Sequence, residues 1–385
     1  MVSVDAIGPC SHYGEHVATA RTHLAGDPDA FDLETMIADL ALLVGTESPS
    51  NDRDALEVSA QTLSRLISER LGSEPELVHG PAGPHVWWRS SGTPRVLLLG
   101  HHDTVFDLGT HTDRPFRVED GRATGPGVFD MKAGIVQALH AVAALEDRSG
   151  VEILMTCDEE VGSLTSRELL EERAAICGAV LVLEPSADGG ALKVGRKGTG
   201  TFEVVVTGRA AHAGLEPERG RNSLIEAARV VLEVASFADL SRGTTVTPTV
   251  CRSGTADNVV PASTTVRVDV RVTSAEEAAR VEACFAGLEG VECEVVVLGS
   301  IKRPPMAPEA AASLLAVARA VDPDLDAVEV GGASDGNFTA ALGIPTLDGL
   351  GAVGGGAHAD HEFVEVATMP ERAALVHGIL AQLLE

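Results

Sequence analysis

VLLLGHHDTV, residues 96–105, opens as an unbroken apolar run and ends in two histidines and an aspartate. The run lacks the alternation of a half-exposed strand, so it reads as a strand buried on both faces, as in a parallel sheet. VEILMTC (151–157) and AVLVLEP (179–185) have the same character. Helical periodicity fills the gaps at 131–146 and 164–176. Strand, helix, strand, helix, strand is α/β architecture. Upstream, Phe31 to Gly72 is helical but broken at TESPSND (46–52), a turn-forming segment.

The pattern changes near Gly198. Strand-like segments at 201–209, 244–252, 264–272 and 291–298 interleave with helical segments at 222–237 and 275–288. Their order, β-α-β-β-α-β, is that of a ferredoxin-like unit. Past Arg303-Pro304-Pro305 the α/β pattern returns, with a helix at 309–321 and a strand at 344–350. The expected plan is one α/β domain, residues 1–198 and 303–385, interrupted by an insert at 199–302. No internal repeat or low-complexity tract interrupts it.

Composition narrows the function. The 385 residues suggest two or three domains at ~150 residues each. A hydrophobic share of 44% supplies a sizeable core. The 57 acidic against 29 basic residues give a formal charge of −28, which repels phosphate backbones and argues against a nucleic-acid partner. Small anionic substrates stay open, because local arginines outweigh a field screened over ~8 Å. The 6 cysteines form no C-x-x-C pair, as expected of reduced thiols in a cytoplasmic protein. MVSVDAIGPCSHYGEH (1–16) carries early acids and no apolar stretch, unlike a signal peptide. No apolar run approaches ~18 residues, so no membrane span is expected.

Five segments carry candidate chemistry. In Gly100-His101-His102-Asp103, the side chains of His101 and Asp103 fall on one face of an extended chain. His101 would bind a metal while Asp103 fixes its tautomer; a polar loop is the plain alternative. Gly125-Pro126-Gly127-Val128-Phe129-Asp130 turns sharply and delivers Asp130, whose two oxygens could bridge two cations or simply cap the next helix. Asp158-Glu159-Glu160 ends a buried strand, so one acid could bind metal while the other stays free as a base. Glu184 also ends an apolar strand, where a bare carboxylate is costly. Glycines 354–356 would let the backbone set His358 deep in a cleft, with His361 as its rival. Taken together, mixed histidine and carboxylate donors beyond strand ends suit zinc.

In this order GHHDTV, GPGVFDMKAG, TCDEEVGS, VLEPS and GAHADHE resemble the motif series of the glutamate carboxypeptidase family of di-zinc metallopeptidases. Acetylornithine deacetylase, succinyl-diaminopimelate desuccinylase and the aminoacylases belong to the same family. The resemblance runs from about Phe31 nearly to the end. It implies a zinc-exopeptidase-like mixed sheet flanked by helices, with the insert as a lid and dimerisation domain. It implies one Zn²⁺ on His101, Asp130 and Glu184, and a second on Asp130, Glu160 and His358, with Co²⁺ able to substitute. It further implies Asp103 as the orienter of His101, Glu159 as general base and a cis Asp130–Met131 peptide. In the insert, Ala210-Ala211-His212-Ala213-Gly214 resembles the lid motif, whose histidine would reach a partner subunit's site in a homodimer. Asn258, Arg271 and, less closely, Arg303 match substrate-binding positions. Glu362 follows His358 after three residues, a spacing nearer the deacylases, which leaves the subfamily open.

The reading is a zinc-dependent amide hydrolase, a carboxypeptidase or N-acyl-amino-acid deacylase. Two alternatives stand beside it: hydrolysis of a carbamoyl-type amide, and a metal-stabilised binding protein without turnover. A free base at Glu159 argues against the latter.

Overall fold

The computed structural model describes residues 26–385. The amino-terminal stretch read above as lacking a signal sequence, with Cys10, lies outside the described residues.

Two helices lead in, Leu33–Val44 and Arg53–Leu71. Asp32 caps the first by accepting from the Glu34 and Thr35 amides, and Asp52 caps the second through Ala55. Gly72, in the left-handed region at φ 77°, ends the second.

The main sheet has six strands. In spatial order they are Glu76–His79, Pro84–Arg89, Val151–Thr156, Val96–His101, Val180–Val182 and Thr346–Leu347. The last four run parallel, and the first two are antiparallel. The two leading strands are absent from the sequence reading. They make the sheet mixed, as the family resemblance implies. Every residue of Val96–His101 and Val151–Thr156 is buried, because helices cover both faces. Val96 and Leu98 face a core shared with the helices Leu33–Val44, Arg53–Leu71, Ala133–Ala143 and Met369–Leu384. Leu97 and Leu99 face the other way, onto Leu170 and Ala174 of Arg167–Cys177 and onto Phe338. Parallel strands place their carboxyl ends on one side, so His101, the acids after Thr156 and Glu184 emerge together.

A second sheet holds Gly198–Thr207, Thr245–Ser253, Ser263–Val272 and Glu294–Arg303, all antiparallel, with the third and fourth flanking the first. With helices Ser223–Ala235 and Ala275–Ala286, the order is the expected β-α-β-β-α-β. Gly198–Thr207 alternates buried and half-exposed residues because only one face packs on helices. Its core is valine-rich, centred on Phe202 stacked on Phe285 at 3.9 Å. The final strand was expected to stop near residue 298 but runs on to Arg303. That extension carries Arg303 to the junction with the main sheet.

Candidate active site

His101 is the last residue of a fully buried strand, and its ring is held from behind. Nδ1 lies 3.0 Å from the Asp103 carbonyl oxygen and 3.4 Å from its carboxylate. Asp103 itself accepts from Ser50 Oγ at 2.7 Å and from the Glu159 and Glu160 amides at 3.3 and 3.2 Å. It therefore ties the histidine to the acidic loop. With Nδ1 as the donor, Nε2 carries a free lone pair. That atom faces Asp130 Oδ1 at 3.3 Å and Glu184 Oε1 at 3.5 Å.

Asp130 is not the cap of the following helix. Its backbone is not helical, with φ −111° and ψ 96°, inside the kinked turn Val128–Lys132, and its peptide to Met131 is cis, as the resemblance implied. Gly127, at φ 73°, makes the approach, and a Cβ there would lie 2.5 Å from Thr104 Cγ2. Glu362 then pins the turn: its buried carboxylate accepts from the amides of Phe129 and Asp130 at 2.8 Å each and Gly127 at 3.0 Å. Asp130 Oδ2 faces His358 Nε2 at 3.4 Å, and His358 Nε2 lies 3.1 Å from Glu160 Oε2. His358, not His361, is the histidine brought to these carboxylates. It lies at the rim, with a side chain 52% exposed, not deep in a cleft. Its φ of 63° is uncommon for a residue with a Cβ.

His101 groups with Asp130 and Glu160, and again with Glu159 and Glu184, with the donor atoms of each group within 4.8 Å of one another. Glu160 Oε1 is buried without a hydrogen-bond partner among the described residues. Neighbouring carboxylates hold the His358 imidazole up to about 10, because Asp130 and Glu160 accept hydrogen bonds from its ring. Such a donor set fits divalent cations, which satisfy the same oxygens without protons.

Glu159 differs from its expectation. It was expected to stand free, but its carboxylate contacts the Arg303 guanidinium. Arg303 also donates to the Glu159 carbonyl at 2.7 Å and to Ser163 Oγ at 2.9 Å, and lies 3.4 Å from Asp335. Burial pushes the Glu159 carboxyl up to about 8, against the pull of Arg303.

Arg271 and Arg303 line a cavity of ≈240 Å³ together with Asp130, Glu159, Glu160, Glu184 and His358. Arg271 pairs with Asp269 at 3.0 Å. His212 and Asn258 do not line it. Both lie exposed in the lid, where Asn258 O accepts from the amide of Ala213, the residue after His212, at 2.9 Å.

Three supports escaped the sequence reading. Arg196 grips Asp348 at 2.7 and 2.8 Å and lies 3.5 Å from Glu184, bracing that strand end. Asp335, in GGASDGN (331–337), accepts from Thr156 and Ser163 and backs Arg303. Glu362 was noted only for its spacing from His358. A run of turn formers ending in an acid, as at 331–335, is the one local signal that pointed to any of them.

A mixed sheet with histidines and acids beyond its parallel strand ends, interrupted by a ferredoxin-like insert, is the architecture of a metallopeptidase or amidohydrolase. The chain belongs to peptidase family M20/M25/M40, whose family model matches residues 97–382. It is 32% identical over 315 residues to carboxypeptidase G2 of Pseudomonas sp. (strain RS-16), covering 77% of this chain and 75% of that one. It is 28% identical over 350 residues to succinyl-diaminopimelate desuccinylase of Dechloromonas aromatica (strain RCB), covering 83% and 92%. In fold it resembles the M20 family metallo-carboxypeptidase Sso-CP2 of Sulfolobus solfataricus, with a TM-score of 0.71 at 16% identity over 91% of this chain and 99% of that one. Aminopeptidase PepT of Bacillus cereus gives 0.73 at 19% identity, over 92% and 100%. The family is metal-dependent, and among the described residues no helix is long and apolar enough to cross a membrane.

Proposed function

We propose that the chain hydrolyses the amide bond of small acyl-amino acids or peptides that end in a free carboxylate. The observation carrying this reading is Asp130, whose two oxygens face two different histidines at 3.3 and 3.4 Å. His101, Asp130 and Glu184 would hold one Zn²⁺; Asp130, Glu160 and His358 would hold another. Bound there, the cations would polarise the scissile carbonyl and acidify water.

The chain's own residues do the rest. Glu159 takes the proton of the attacking water at its carboxylate and hands it to the leaving amine. Burial keeps that carboxyl near the working pH, which suits a group that must both accept and release a proton. Arg271 and Arg303 supply the cationic end of the cavity, where a carboxylate accepts paired hydrogen bonds. An arriving carboxylate competes with Glu159 for Arg303, which leaves the base free when substrate is seated.

His212 and Asn258 act across a homodimer formed through the lid. His212 Nδ1 accepts from the Gly214 and Leu215 amides at 3.1 and 3.2 Å, so Nε2 carries the proton and can donate to an oxyanion. Ile225 and Leu232, 68% and 76% exposed on one lid helix, offer an apolar surface for a partner's copy. A cytoplasmic location is part of the same reading, supported by the five cysteines among the described residues, which are all unpaired.

The test is a panel of N-acyl amino acids and dipeptides as free acids and as C-terminal amides. Acids should be cleaved and amides spared, and Arg271→Ala should lose at least tenfold in kcat/KM on acids alone. Equal cleavage of acid and amide by the wild type would remove carboxylate recognition and leave the metal chemistry standing.

A further inference from the structure

A second cavity of ≈390 Å³ opens beside the histidine–carboxylate cluster, and Glu160 belongs to the walls of both cavities. A substrate whose scissile bond lies at Glu159 and Glu160 therefore has two directions in which to extend. Both walls carry acids, and they differ in their cations. Arg271 and Arg303 line the smaller cavity. Among the described residues, no lysine, arginine or histidine lines the larger one. Its charged side chains are Asp52, Asp107 and the shared Glu160. Val105, Leu108 and Val161 also face it, and they remain 42%, 61% and 41% exposed. Solvent-facing aliphatic side chains gathered in one concave wall are the material of a ligand subsite.

We propose that this larger cavity is the subsite for the acyl side of the scissile bond, and that it takes an uncharged apolar acyl group and rejects an anionic one. The inference rests on the amide-hydrolase reading above and adds the other half of the substrate. The carboxylate end goes to the arginines, so the acyl end goes to the wall without cations. Burying Val105, Leu108 and Val161 against an alkyl or aryl group removes apolar surface from water. An acyl group carrying a terminal carboxylate would meet Asp52 and Asp107 with no counter-charge, and like charges brought together at an interface oppose binding. The cavity lies within the size range of small-molecule sites, so an acyl group well beyond acetyl fits.

The experiment compares N-acetyl, N-hexanoyl and N-succinyl derivatives of one amino acid, as free acids, with the metal-replete full chain. The expected order in kcat/KM is hexanoyl above acetyl, with succinyl at least tenfold below hexanoyl. Asp107→Lys should raise the succinyl-to-acetyl ratio about tenfold. Leu108→Asp should lower the hexanoyl-to-acetyl ratio by a similar factor. Both are exposed positions, so the fold should survive either change, and ratios within one variant cancel any loss of folded protein. Succinyl cleaved as well as hexanoyl by the wild type, or ratios unmoved in both variants, would overturn the subsite. Failure to cleave any of the three compounds would instead strike down the hydrolase reading on which it rests.

Discussion

Glu362→Ala should damage both stability and metal binding, through one cause. Glu362 is 2% exposed, and its carboxylate accepts three amide hydrogen bonds at 2.8, 2.8 and 3.0 Å from the turn that carries Asp130. A hydrogen bond to a charged group contributes ~1.5–3 kcal/mol, and three would sum to ~4.5–9 kcal/mol. Two effects reduce that figure. Burial raises the Glu362 carboxyl to about 7, so part of the gain is offset by desolvation. Alanine also leaves room for water to reach some of the amides. A net loss of ~3–5 kcal/mol is the working figure. At ~2–4 °C per kcal/mol, Tm should fall by roughly 10 °C. The assay is urea unfolding and thermal melting, paired with elemental analysis of metal per chain after dialysis. Glu362→Gln should fall between: one oxygen still serves Phe129 and Asp130, while its amide nitrogen opposes the Gly127 N–H. An alanine variant with wild-type Tm and full metal content would refute the idea that Glu362 holds Asp130 in place.

Two further outcomes follow from named contacts. Asp39 is gripped by Arg70 at 2.6 and 2.7 Å and by His140 at 2.8 Å, and these bonds hold its carboxyl below the ordinary value despite burial. Its stabilisation is present above the unfolded value of ~3.9 and is lost as pH falls through the lower folded value; the Tm gap between wild type and Asp39→Asn should therefore narrow between pH 5 and pH 3, and a constant gap would contradict this. Mixing inactive His212→Ala with inactive Glu159→Gln subunits should restore part of the activity if His212 serves its partner, and no recovery after subunit exchange would place its action elsewhere.

Much of this site was legible because its residues follow apolar strands. His101, Glu159, Glu160 and Glu184 each stand just past a buried run, where an acid or imidazole needs a partner. The lid was legible from period-two alternation at 244–252 and 264–272. What was not legible depends on residues far apart in the chain. Arg303 reaches Glu159 across 144 positions, and Glu362 reaches Asp130 across 232. Neither contact leaves a local pattern. The leading strands Glu76–His79 and Pro84–Arg89 escaped for another reason: the first is largely exposed, and the second starts with a proline and mixes histidine and tryptophan into its run. The depth of His358 was misjudged because glycines 354–356 read as a route inward. Two of them instead pair with Val364 and Phe363 in a small sheet, leaving the histidine at the rim.

The central claim is that Glu159 is the base of a two-cation hydrolase, and one measurement tests it most directly. Purified wild type and Glu159→Gln are loaded with Zn²⁺, their metal content is determined, and their turnover is compared on the best N-acyl amino acid. Chelation should abolish wild-type activity, and Zn²⁺ or Co²⁺ should restore it. The glutamine variant should hold as much metal as wild type and turn over ~10²–10⁴-fold more slowly, the usual share of general acid–base catalysis. Near-normal turnover by a metal-replete Glu159→Gln protein would contradict the account.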